Sequence, residues 1–157
     1  MSISHEDPGD IYRAQKDFGD AFAEYQAALD VIQKLAGRDP SNDDWQHALE
    51  VADENLGDGL KDRNELVKAK ADYENALAIL QSLAKKDPAN TDYQHDLSAV
   101  YKGLGEAEKA QGNATTAEQN FQAGLGILTR LIQSHGENPA WKTDLDSVKK
   151  LVADPQP

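Results

Sequence analysis

The feature that most constrains this chain is that it repeats itself. Displaced by 48 residues, it aligns with itself without a gap. Tyr25, Tyr73 and Phe121 share a column, as do Leu29, Leu77 and Leu125, and Leu35, Leu83 and Leu131. Ala21, Ala69 and Ala117 line up, and so do Asn42, Asn90 and Asn138, and Trp45, Tyr93 and Trp141. Leu49, Leu97 and Leu145 follow, with Gly9, Gly57 and Gly105. A period of this size marks one supersecondary unit that buries its apolar face by stacking on copies of itself.

Each unit carries two helical patterns. From about 43 to 62, Trp45, Leu49, Ala52, Leu56 and Leu60 recur at spacings of three and four, which is one face of a helix. From about 66 to 85, Ala69, Tyr73, Ala76, Leu80 and Leu83 do the same. Between them Lys61-Asp62-Arg63-Asn64-Glu65 is a polar turn. Its counterpart is Gln111-Gly112-Asn113, where Gly or Asn can take the left-handed conformation that ends a helix. The links between units hold Pro40 and Pro88, which stop the preceding helix, and then Asn42 and Asn90, which are good N-caps. Asp43, Asp44 and Asp92 set negative charge against the positive helix end. In the last link Asn138 caps and Pro139 occupies the first turn, where its missing N–H costs nothing. No stretch alternates with period two long enough to suggest a sheet.

Short polar turns between long helices predict antiparallel hairpins. The expected fold is therefore all-α, a right-handed α-solenoid of about seven helices. It contains a partial unit at about 9–42, full units at about 43–90 and 91–138, and a capping helix at 139–153. Residues 1–8 and 154–157 read as tails, the first of them flexible. The last helix has Trp141, Leu145, Val148 and Val152 on one face and Lys142, Asp146, Lys149 and Lys150 on the other, as a terminal cap requires. The N-terminal end has no equivalent. Ile11, Tyr12, Phe18 and Phe22 are expected to stay partly exposed there, which favours a homo-oligomer through that end.

The residues also carry a family resemblance. Leu56-Gly57 is followed by Ala69, Tyr73 and Ala76, and Tyr101, Leu104-Gly105, Ala117, Phe121 and Gly124 recur in the next unit. Gly9, Tyr12, Ala21, Tyr25 and Ala28 repeat most of this pattern. It resembles the tetratricopeptide repeat, with its Leu-Gly and Ala-x₃-Phe signatures. Small Gly and Ala let two helices approach, and a large aromatic fills the space beside them. The usual period is about 34 residues; the extra length here extends both helices at the ends away from the internal turn. The resemblance implies a bacterial long-helix variant covering roughly residues 9–153. It also implies an interaction module whose concave face is lined by the first helix of each unit.

Composition excludes several chemistries. There is no cysteine, so no disulfide, thiolate metal site or thiol nucleophile. The formal net charge is −12, which speaks against nucleic acid or an anionic membrane as partner. The acidity is concentrated in residues 1–78. No apolar run is long enough for a signal peptide or a membrane span, and a cytoplasmic location is expected. His47 and His95 share a column, but stacked units hold such a pair too far apart for one metal ion. They read as surface histidines. Asp43-Asp44 and Asp53-Glu54 pair carboxylates, yet nothing marks them as buried, as a general acid would need to be. No Gly-x-Ser-x-Gly elbow and no phosphate loop occurs. No cofactor, no metal and no catalysis are expected.

What remains is the concave face. By spacing from the glycines, the family pattern places Asp10 and Arg13, then Glu54, Asp58 and Lys61, then Lys102, Glu106 and Lys109 along it, with Val51 and Ala99 as small apolar contacts. The column Asp10, Asp58, Glu106 is acidic and the column Arg13, Lys61, Lys109 is basic. These stripes read either as i,i+3 ion pairs within each helix or as a groove for an extended or helical peptide of mixed charge. The clamp by which the family grips acidic chaperone tails is mostly missing: Asp10, Glu106, Ala99 and Gly103 stand at its positions, and only Lys102 and Asn55 fit. The function expected is a non-catalytic scaffold binding a protein or peptide. The alternatives are a small acidic secretion chaperone holding an unfolded client and, last, a helical enzyme.

Overall fold

In the computed structural model, residues 8–153 are described. They form seven helices: α1 (Pro8–Ala14), α2 (Phe18–Arg38), α3 (Asp43–Asp62), α4 (Leu66–Lys86), α5 (Thr91–Ala110), α6 (Ala114–His135) and α7 (Pro139–Ala153). There is no strand among the described residues. The tails expected at 1–8 and 154–157 lie outside the described residues, except Pro8, which opens α1. Among the described residues no helix is long and apolar enough to cross a membrane.

Helix ends follow from single residues. The Asn42 side chain accepts from the Trp45 N–H at 3.0 Å, Asn90 from Asp92 and Tyr93, and Asn138 from Ala140 at 2.9 Å. Each satisfies amides that the first turn leaves without a helical acceptor. The turns inside the units share another device. Asp17, Glu65 and Asn113 each donate their N–H to the carbonyl five residues back, at Tyr12, Leu60 and Glu108. That closure places the preceding residue in the left-handed region. Lys16 (φ 62°), Asn64 (φ 62°) and Gly112 (φ 83°) occupy it, 48 residues apart.

Each helix packs against the next in the chain, and α5 additionally touches α3 and α7. The odd-numbered helices thus come together along one side. The aromatic column fills the space between them. A Cβ on Gly9 would lie 2.3 Å from the Tyr25 ring, one on Gly57 3.0 Å from Tyr73, and one on Gly105 2.4 Å from Phe121. Tyr25 also abuts Gly59 and Tyr73 abuts Gly103, so each tyrosine is clamped between its own unit and the following one. Tyr25, Tyr73 and Phe121 are almost fully buried. One core cluster runs from Ala21 to Leu131, and a second joins Ala117, Phe121 and Leu128 to Val148 of α7. At the N-terminal end Ile11 is 44% exposed, while Tyr12, Phe18 and Phe22 are half-buried.

Candidate functional site

The odd-numbered helices enclose an open groove of about 480 Å³. Its walls are Arg13 of α1, Glu54, Asp58, Lys61 and Asp62 of α3, and Lys102 and Glu106 of α5. Ser98, Ala99, Gly103, Leu128 and Val148 form the small and apolar part, and Asp144 of α7 closes one end.

The two charged stripes are largely spent on each other. Arg13 bonds Asp58 and Asp62 of the next unit, and Lys61 bonds Glu106 of the next unit at 2.5 Å. Lys61 also meets Asp58 on its own helix at 3.1 Å. The Tyr73 hydroxyl donates to the same Asp58 carboxylate, and the Tyr25 hydroxyl donates to Asp10 at 2.6 Å. In the third unit Phe121 has no hydroxyl, and Glu106 turns to Lys61 instead. Burial opposes charge on Asp58, but Lys61 and Arg13 outweigh it and hold this carboxylate below its usual range. Burial likewise opposes charge on Arg13 and Lys61, and their acidic partners reverse the balance and raise both. The ladder is thus one coupled network running from unit to unit.

Beside it lies a group of carboxylates with the opposite tendency. Burial, reinforced by Glu54, Asp96 and Asp53, pushes Glu50 up to about 9. Burial and then Asp58 and Asp96 push Glu54 up to about 8, against Lys61 and Lys102. Burial and Asp72 push Asp53 up to about 7. The sequence expectation that nothing marks Asp53-Glu54 as buried is therefore corrected: Asp53 is buried and Glu54 half-buried. Hydrophobic faces are read from apolar spacing, and these acids sit inside the stripe where α3 meets its neighbours.

Of the residues expected on the concave face, Arg13, Glu54, Asp58, Lys61, Ala99, Lys102 and Glu106 line the groove. Asp10, Lys109 and Val51 do not. Asp10 is exposed and bonded to Tyr25. Lys109 is half-buried near the end of α5 and engaged elsewhere. Val51, 40% exposed, lies with Tyr25, Ala28 and Ile32 in a separate apolar depression of about 170 Å³. Val51 and Ala99 share a column, yet only Ala99 has a preceding odd helix long enough to form a wall. The seven residues of α1 correspond to the last turns of α3 and leave nothing opposite Val51.

Sequence reasoning also missed a second ladder. The His47 imidazole bonds Asp96 at 2.8 Å, and His95 bonds Asp144 at 2.8 Å, each across one unit boundary. Neither histidine is a plain surface residue. The signal was present as matched columns, but only the stacking says that His47 meets a residue 49 positions away.

No family model matches the chain, and no curated protein matches it.

Proposed function

We propose that this chain is a non-catalytic interaction module of the tetratricopeptide type. In this reading its helices form antiparallel hairpins stacked in a right-handed solenoid, and the groove along the odd-numbered helices receives a segment of a protein partner. The observation that carries the reading is Lys102. The other basic groups of the groove, Arg13 and Lys61, are tied to carboxylates. Among the described residues no ion pair ties Lys102, which acts on Glu54 only through space. An unpaired ammonium above a floor of Ala99, Gly103 and Ser98 suits a peptide carboxylate whose apolar neighbours enter the groove. A volume of about 480 Å³ suits a few side chains rather than a folded domain.

Lys61 is a poor residue for the test, because reversing it also breaks the ladder. Lys102→Glu leaves the ladder alone. The full chain is immobilised, peptides are selected from a random display library, and a selected peptide is titrated calorimetrically. Peptides of mixed charge that place one carboxylate at Lys102 should emerge, and K102E should weaken the best of them at least tenfold. K149E, on the exposed face of α7, should leave it within twofold. If no peptide exceeds background, or both variants weaken binding alike, the groove is not the binding face.

A further inference from the structure

Glu50 is unlike the other acids of this chain. Its side chain is 0% exposed, and neither carboxylate oxygen has a hydrogen-bond partner. A buried carboxylate left without partners is costly. Its surroundings show what could satisfy it. His47 Nε2 lies 3.8 Å from a Glu50 oxygen and 2.8 Å from an Asp96 oxygen. One ligand atom from each of the three residues falls within 4.8 Å of the others.

The repeat supplies an internal control. The His–Asp bond recurs one unit later as His95 and Asp144 at the same 2.8 Å. There the residue in the Glu50 column is Ser98, whose hydroxyl bonds the His95 carbonyl at 2.6 Å. The His–Asp pair therefore belongs to the unit architecture. Glu50 is an addition at one boundary, and packing does not require it.

We propose that His47, Glu50 and Asp96 form a binding site for a divalent transition cation of the zinc class, linking α3 to α5. Around tetrahedral zinc with ligands at about 2.0–2.1 Å, neighbouring ligand atoms stand about 3.3 Å apart. The His47–Asp96 contact must open by about half an ångström and the His47–Glu50 contact close by about as much. Both are side-chain adjustments. The His47 ring is steadied edge-on against Tyr93, with centroids 5.1 Å apart. One imidazole with two carboxylates suits zinc and its first-row neighbours, whereas calcium and magnesium prefer all-oxygen shells. The site is reached from solvent past His47 and Asp96, whose side chains are 32% and 26% exposed, so water completes the coordination. Residues 47 and 50 come from one helix and residue 96 from the next unit, so the ion would staple a unit boundary.

The test is calorimetric titration of Zn²⁺ into the full chain, freed of metal with a chelator and carrying no affinity tag. One saturable site is expected, with a melting temperature that rises with zinc concentration. Glu50→Gln and His47→Asn should each weaken zinc at least tenfold, since loss even of a residue that only orients a ligand costs that much. Asp144→Asn, which disturbs the equivalent pair lacking the glutamate without altering a neighbour of Asp96, should bind as the parent does. Far-ultraviolet circular dichroism checks that each variant is folded. Glu50→Ser, which copies the third unit, replaces Glu50→Gln if the amide variant misfolds. Absence of saturation at millimolar zinc overturns the assignment. So does binding unchanged by E50Q and H47N, binding lost equally in D144N, or equal affinity for Mg²⁺.

Discussion

Adding one methyl group at Gly105 puts it where the structure has no room. The new Cβ would stand 2.4 and 2.5 Å from two ring carbons of Phe121 and 3.0 Å from a third. Ordinary carbon contacts are about 3.5–4.0 Å, so the overlap is about 1 Å or more. Phe121 is 2% exposed, packed with Ala117, Leu128 and Val148, and has nowhere to swing. Overpacking of this kind costs about 1–3 kcal/mol, and this overlap belongs at the top of that range. Alanine returns about 1 kcal/mol through its better helix propensity, leaving a net loss of about 2 kcal/mol. Gly126 is the counter-case. It lies within α6, and the nearest atom its Cβ would meet is Arg130 Nη1 at 3.8 Å. There alanine keeps its propensity gain of about 0.5–1 kcal/mol. For a chain of this size each kcal/mol moves the melting temperature by about 2–4 °C. Gly105→Ala should therefore lower it by about 4–8 °C and Gly126→Ala raise it by about 1–4 °C. Urea unfolding followed at 222 nm checks the free energies. Adding Phe121→Leu to Gly105→Ala should cost less than the two single changes together, because the smaller side chain relieves the overlap. If Gly105→Ala is as stable as the parent, or Gly126→Ala loses as much, the aromatic column does not fill the space between units.

Two further outcomes are expected. Lys16 holds a left-handed φ of 62° in the column that Gly112 fills two repeats later; Lys16→Gly should raise stability by about 1 kcal/mol in the same urea assay, and a loss would mean that the lysine side chain holds the turn. Stability should also fall between pH 5.5 and 8, measured with chelator present. Asp53 is held up to about 7 by burial and Asp72, and Glu54 up to about 8 by burial, Asp58 and Asp96, partly offset by Lys61 and Lys102. The folded chain therefore keeps protons that the unfolded chain releases near pH 4. Their stabilising effect is full below pH 4 and is lost as the pH rises through 7 and 8, at up to about 1.4 kcal/mol per pH unit for each proton retained. Asp53→Asn should flatten the lower part of this slope. Asp58, held below its usual range, acts in the opposite sense only under acid conditions outside this window. A profile that rises from pH 5.5 to 8 would refute the assignment.

Much of this architecture is legible in the residues. The Asn column sets three helix starts, because an amide oxygen one position before a helix has little else to bind. The Gly9, Gly57 and Gly105 column foretells where an aromatic will lie, because only glycine lets a ring approach so closely. The repeat of Lys16, Asn64 and Gly112 was equally visible but is obscure as a conformational signal, since lysine rarely turns left-handed. The groove was partly legible, as seven of its residues are ones that the family resemblance, carried over by spacing from the glycines, implies for the concave face. Val51 escaped that reasoning because spacing says which way a residue faces and not whether another helix stands opposite.

Covalent order and periodicity by themselves determined that the described residues are all-helical, about where each rod begins and ends, and which sides are apolar. These are properties of residues within a few turns of one another, so local chemistry decides them. Only the stacking of one unit on the next decided that Arg13 reaches Asp58, that Lys61 reaches Glu106, and that His47 and Asp96 close over Glu50. Those partners lie 45 to 49 positions apart. Which charges meet depends on the rise and rotation between units, and that offset is set by how large and small side chains interlock.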